Sequence, residues 1–422
     1  MACGRNGARI ARARTAALTL ALLVAGAVHA DEGASGLSRY LDPATAPFIP
    51  VPAIALDPYG GTTLGIIPTV LDTDSQDEID RIIAPDATHN QYFGWGSLMR
   101  VFRYPSVDEE WMVVAGGRQR VEREFDGRIA LGETRQSPWS WSVEALYDRS
   151  GSPRFFGLGN QSLDANQTSY LDNQAHLDLS AGRNFTPALQ LAYRIRLRYV
   201  DVLPGVLPGV PSMAAIFPGQ LGIGMQHELQ QQLMLTWDTR DSPVIPREGV
   251  RYLVYAGAVA RALGSTVSYS YVGAEVRAYQ PLGADMTLAW HAALRYMPAA
   301  QDAPFWALGS LGGDLSMPGE SEPLRSDGTD RYLGRNLSAG GAELRTRVAS
   351  FDAFGTQVLL ELAPFLDLGK VFTDPAASPL TRLHSAGGMG VRGIASPHIV
   401  GYVDFGYGQG KGAVFSGINY PF

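Results

Sequence analysis

The sequence predicts an all-β fold, a transmembrane antiparallel β-barrel of 16 strands. Three observations carry this expectation: an export signal at the N-terminus, no later apolar stretch approaching the length of a membrane helix, and a long series of segments in which apolar and polar residues alternate. Alternation with a period of two is what a strand displays when one face meets lipid and the other meets water.

Residues 1–30 place Arg5, Arg9, Arg12 and Arg14 ahead of the apolar run 16–27 and close on Val28-His29-Ala30, a small-residue cleavage pattern. A spanning helix needs roughly 20 apolar residues, and this run is far shorter. The reading is a signal peptide at 1–30 cleaved before Asp31, Sec-type export, and residence in the outer membrane of a Gram-negative cell. The single cysteine, Cys3, precedes the apolar run. The mature chain therefore holds no disulfide and no thiolate metal site. Without the signal, 30 basic residues face 41 acidic ones, a balance unsuited to nucleic acid. Residues 31–61 are proline-bearing and loop-like and read as a periplasmic lead-in, with the barrel over 62–422.

The strand cores expected from alternation are 62–73, 89–103, 109–121, 127–135, 139–148, 168–183, 188–201, 225–239, 249–261, 266–280, 286–297, 337–349, 357–372, 382–394, 398–407 and 413–422. In 286–297, Met286, Leu288, Trp290, Ala292, Leu294 and Tyr296 form one face, and Thr287, Ala289, His291, Ala293 and Arg295 the other. In 341–348, Glu343, Arg345 and Arg347 share a face that must be the lumen, since a charge in lipid costs several kcal/mol. Links at 104–108, 136–138, 184–187, 281–285 and 395–397 are short, as periplasmic turns are. Those at 74–88, 149–167, 202–224 and 298–336 are long, as external loops are. Trp95, Trp111, Trp139, Trp141 and Trp237 suit interfacial girdles.

Four passages carry a family resemblance: LTWDTRDSPVIPREGVRY from Leu235 to Tyr252, RFFGLGNQS from Arg154 to Ser162, PLRSDGTDRYLGRNLSAGGAELR from Pro323 to Arg345, and the stretch from AGGMGVRG at 386–393 through VDFGYG at 403–408 to the terminal NYPF. Together they resemble the bacterial surface-antigen, or BamA/TamA, superfamily of outer-membrane barrels. The resemblance implies a sixth external loop folded into the lumen, with Arg325 as its motif arginine and Glu343 and Asp367 as the acids it pairs with. Ser326 and Asp327 stand where the family carries glycine and an aromatic residue. A second register, with the tip at Met317-Pro318-Gly319-Glu320, would lose the arginine; the first is preferred because Arg331, Tyr332 and Arg335 then match as well. A planar guanidinium binds two carboxylate oxygens at once and keeps its charge at low dielectric. By the same resemblance Asp238, Arg240, Asp241, Pro246 and Gly249 form a periplasmic turn motif, and Gly417, Tyr420 and Phe422 form the C-terminal signal read by the barrel-assembly machinery. The family's POTRA domains find no room in 31–61, so a POTRA-less member is expected.

No G-x-S-x-G elbow, H-E-x-x-H helix, P-loop or thiol pair occurs, so neither an enzyme nor a cofactor is expected. His227, His291, His384 and His398 stand alone on different strands. The functional expectation is help with insertion or translocation of proteins or lipids at the outer membrane, by lateral opening between the strands near 62–73 and 413–422. The alternative is a passive structural barrel or small-solute pore. Expected partners are outer-membrane lipids, the assembly machinery and an unidentified protein or lipid cargo.

Overall fold

The computed structural model describes residues 49–73, 79–106, 108–132, 134–353, 356–374, 376–395 and 399–422. The signal peptide expected at 1–30 and most of the lead-in lie outside the described residues. The first half of the wall is built from β1 (Ile49–Asp57), β2 (Gly61–Thr73), β3 (Ile79–Pro85), β4 (Ala87–Asn90), β5 (Gly94–Ser106), β6 (Glu109–Arg118), β7 (Arg123–Leu131) and β8 (Trp139–Ser150). After the two-residue β9 (Arg154–Phe155) come β10 (Thr168–Asn184), β11 (Leu189–Pro204), β12 (Gly224–Asp238), β13 (Gly249–Val259), β14 (Tyr269–Pro281) and β15 (Met286–Ala299). Three short strands, β16 (Gly309–Leu311), β17 (Ser321–Glu322) and β18 (Tyr332–Gly334), form a separate sheet. The wall resumes with β19 (Asn336–Ala353), β20 (Thr356–Phe372), β21 (His384–Ala395), β22 (Ile399–Gly408) and β23 (Lys411–Ile418).

Each wall strand pairs antiparallel with its neighbours in sequence, and β1 meets β23 to close the barrel. The wall counts 18 strands, not 16. One additional strand is β1, inside the stretch expected to be lead-in, which pairs with β2 from Ile49↔Thr69 to Asp57↔Gly61. The other is the β3–β4 segment, which occupies most of the stretch expected to be the long external loop 74–88 and takes the first residues of the strand expected at 89–103; both parts lie between β2 and β5. Asp86 interrupts this strand without breaking it. Its carboxylate accepts from Leu98 N at 2.9 Å and Arg100 Nη1 at 2.8 Å, replacing the ladder bonds lost at the irregularity. With these strands added, the long 300–335 connection is the seventh at its end of the barrel rather than the sixth.

Alternation sorts the side chains as expected. Along β15, Thr287, Ala289, His291 and Arg295 are buried toward the lumen, while Trp290 is exposed on the outer face. The five girdle tryptophans are all exposed, Trp139 at 60%. No helix among the described residues is long and apolar enough to cross a membrane; in this chain strands do the spanning, because a closed ladder leaves no backbone group unpaired in lipid.

Candidate functional site

The chain between β15 and β19 turns back into the barrel, and its short sheet β17-β16-β18 stands inside the wall. It is anchored on opposite sides. On the side of β19 to β22, Arg325 is fully buried. Its Nε and Nη2 donate to the two oxygens of Asp367 at 2.9 and 2.7 Å, and its Nη1 donates to Glu343 Oε1 at 2.6 Å and Asp404 Oδ2 at 2.8 Å. The Arg325 backbone N–H adds a bond to Asp367 Oδ2 at 3.1 Å, and the guanidinium lies 3.5 Å over the Phe365 ring. The structure thus brings together all three residues assigned to the loop contact from sequence.

Two further partners were not assigned. Asp404 on β22 completes the acids, and Arg392 on β21 donates to Glu343 Oε1 at 2.8 Å and approaches Asp404 Oδ1 at 3.4 Å. Arg345 Nε binds Glu343 Oε2 at 3.0 Å. Three guanidinium groups therefore face three carboxylates in a sealed cluster, which is how buried charge is tolerated. The signal was present: in VDFGYG, Asp404 is the lone charge between Val403 and Phe405, which alternation sends to lipid. Gly406 is as necessary as the acids, since a Cβ there would stand 1.7 Å from the Arg325 carbonyl oxygen. Ser326 and Asp327, the departures from the family pattern, are buried and bond each other at 3.0 Å.

The opposite anchor is the turn 317–320, the alternative tip. Arg196 Nη1 donates to Glu320 Oε1 at 2.8 Å, Arg194 Nη2 lies 3.5 Å away, and Gly319 N donates to Glu275 Oε1 at 3.1 Å. Burial alone would raise the Glu320 carboxyl, but Arg196, Arg194 and Arg198 hold it at about 2. Both candidate tips are in use, one on each side of the lumen.

The C-terminus is also inside. Strand β23 ends at Ile418, short of the expected 422, and Asn419 turns the chain with a φ of 78°. Phe422 is buried beside Tyr279 and Ala289, its ring 4.2 Å from that of His291. Arg345 lies 3.6 Å over the Tyr420 ring and donates to Phe422 O at 3.3 Å, and Ser316 N from the inward loop donates to Pro421 O at 2.9 Å. Tyr420 and Phe422 therefore do not continue the strand face, while Gly417 does lie on it, opposite Tyr402.

The turn motif holds together at the other end of the barrel. Arg240 Nη2 bonds Asp238 Oδ2 at 2.8 Å. Asp241 Oδ1 accepts from Arg247 N at 2.9 Å and Glu248 N at 3.2 Å. Pro246 is buried, and Gly249 re-enters the wall at a φ of 101°. The wall seam lies between β1 and β23, not between the strands near 62–73 and 413–422. Among the described residues Leu56↔Val414 is the single ladder pair that joins them, whereas β22 and β23 share an unbroken run from Gly401↔Ile418 to Gly408↔Lys411.

An even-stranded closed barrel with an outward apolar face, a charged loop locked in its lumen and a thin seam defines a class of outer-membrane β-barrel proteins. The chain belongs to the Omp85 superfamily, whose domain model matches residues 117–408. BamA from Haemophilus ducreyi lacking POTRA domains 1–3 shares the fold at 11% identity and a TM-score of 0.52, over 84% of this chain and 75% of that one. CdiB from Escherichia coli aligns at 11% identity and a TM-score of 0.47, over 89% of this chain and 63% of that one. CdiB from Acinetobacter baumannii aligns at 11% and 0.47, over 87% and 66%. No curated protein matches the sequence.

Proposed function

We propose that this chain helps proteins or lipids enter or cross the outer membrane by parting its wall between β1 and β23. The observation that carries the reading is the seam: among the described residues one ladder pair joins β1 to β23, against nine between β1 and β2. Unpaired edge groups template an incoming strand. Pro50 and Pro52 lie in that edge strand and remove two donors, so a guest pairs there without pairing permanently. Export through the signal at 1–30, and insertion by assembly machinery that reads Gly417, Tyr420 and Phe422, complete the proposal. The residues that lock the loop, Arg325, Glu343 and Asp367 with Asp404, keep the lumen filled while the wall opens.

The test is reconstitution of the full chain in liposomes with a urea-unfolded small outer-membrane barrel as client. Client folding is expected to accelerate several-fold, the acceleration to vanish when a Leu56→Cys, Val414→Cys pair is oxidised to a disulfide, and to return on reduction. Client folding at the rate of empty liposomes with the seam unlocked would overturn the proposal, and ion flux through the same liposomes would then favour the passive pore.

A further inference from the structure

The RFFGLGNQS passage lies in the connection between β8 and β10, and the lock does not use it. Two contacts of that connection, one from the passage and one from Asp164 just beyond it, fall on opposite margins of the seam. On the β1 side, buried Arg154 donates from Nη2 to the carbonyl oxygen of Tyr59, in the turn from β1 to β2, at 2.5 Å. The Phe156 ring lies 5.1 Å from that of Tyr59, and Tyr59 in turn rests on Gly328 of the inward loop, where a Cβ would stand 2.1 Å from its ring. On the β23 side, Asp164 Oδ2 takes Lys411 Nζ at 2.5 Å; Lys411 is the first residue of β23. The same ammonium reaches Asp327 of the inward loop at 3.4 Å.

The connection itself is braced from below. Arg331 binds Asp164 Oδ1 at 2.9 Å and Ser162 O at 2.7 Å, with its guanidinium 4.4 Å over Phe156 and 4.3 Å over Tyr332. Gly159 N donates to Leu333 O at 2.8 Å. One braced segment thus touches the first hairpin and the last at the same end of the barrel, across a junction that among the described residues has one ladder pair of its own.

We propose that the 151–167 connection is a clasp that holds the β1–β23 seam shut at the loop end, with Asp164–Lys411 as its releasable ion pair. This rests on the reading that the wall parts at that seam. Arg154 and Phe156 grip by packing and a buried hydrogen bond. The Lys411 side chain is 35% exposed and that of Asp164 54%, so this half of the grip is open to water and screened by salt. Parting the seam then requires the clasp to release one hairpin, and the lysine side is where release is easiest.

Hydrogen exchange of the full-length protein in lipid nanodiscs tests this, because strand opening is read amide by amide. Lys411→Met and Arg154→Met are each expected to speed exchange in 53–57 and 411–418 by on the order of tenfold, while β10 to β12 keep their protection. Lys411→Arg should retain the native rates. Asp302→Asn, which removes an exposed pair with Arg261 at 3.4 Å, should leave the seam unchanged. In the unsubstituted protein 1 M NaCl should speed seam exchange, and in Lys411→Met it should add nothing. Seam exchange that is unchanged by both substitutions, or raised equally in β10 to β12, overturns the clasp. Should a substituted protein fail to fold, the salt response of the native chain decides alone. None of these readouts involves a client, so loss of the clasp and loss of insertion activity are separate results.

Discussion

Arg325 is irreplaceable by charge alone. Its fork occupies both oxygens of Asp367 and still reaches Glu343 and Asp404, a planar geometry that an ammonium cannot copy. Arg325→Ala leaves Asp367 without its bidentate partner and Glu343 and Asp404 to Arg345 and Arg392, and removing one member of a buried ionic cluster typically costs about 3–5 kcal/mol. The expected outcome is a lower unfolding temperature in heat-modifiability gels, with Arg325→Lys recovering little of it. Gly406→Val should do comparable harm by steric means, because the loop backbone occupies the space the side chain needs. If either variant keeps the native transition, the lock is not what seats the loop. Much of this cluster was legible from sequence: alternation turned Glu343 inward, and the family resemblance supplied Arg325 and Asp367. Asp404 and Arg392 obey the same alternation but look unremarkable until the folded loop brings a guanidinium to meet them.

Among the elements, the two strands that were missed share a cause. The segment IPVPAIALD carries two prolines and the Pro85-Asp86 pair resembles a turn signal, so local chemistry argued for loops at both places. Tertiary context overrides it: β1 sits at the seam, where a missing donor is tolerated, and the Asp86 side chain supplies what the ladder lost. The inward loop holds no periodic pattern at all, and its three short strands form a sheet only with one another, inside the enclosure that the wall supplies. Its Glu320 anchor is pH-dependent in a definite direction. A carboxyl held at about 2 in the folded loop, against roughly 4.3 when free, stabilises docking in full above the free value and loses that contribution as pH falls toward 2. Exchange protection at 316–321, corrected for intrinsic rates, should hold from pH 7 to 5 and decline between about pH 4 and 2. Protection that is flat across that window would show that Gly319 and the sheet suffice to seat the tip.

For the whole molecule, the closed barrel and its two faces followed from periodicity, while the contents of the lumen did not, since a strand pattern records only which residues face inward. With the 300–335 loop and the terminal residues both inside, the native protein should conduct weakly in planar bilayers. Arg325→Ala should raise its single-channel conductance several-fold. An unaltered conductance would mean that the loop stays seated without its arginine.

The inward C-terminus also imposes an order of events. Phe422 reaches its place beside His291 and Tyr279 only within a wall that β23 itself completes. Of the residues proposed as the address for insertion, Tyr420 and Phe422 would be legible to a receptor only while the chain is unfinished, because Asn419 turns them in, whereas Gly417 stays in the wall. On that proposal the finished barrel withdraws the aromatic half of its return label, and delivery ends when the terminus is tucked away.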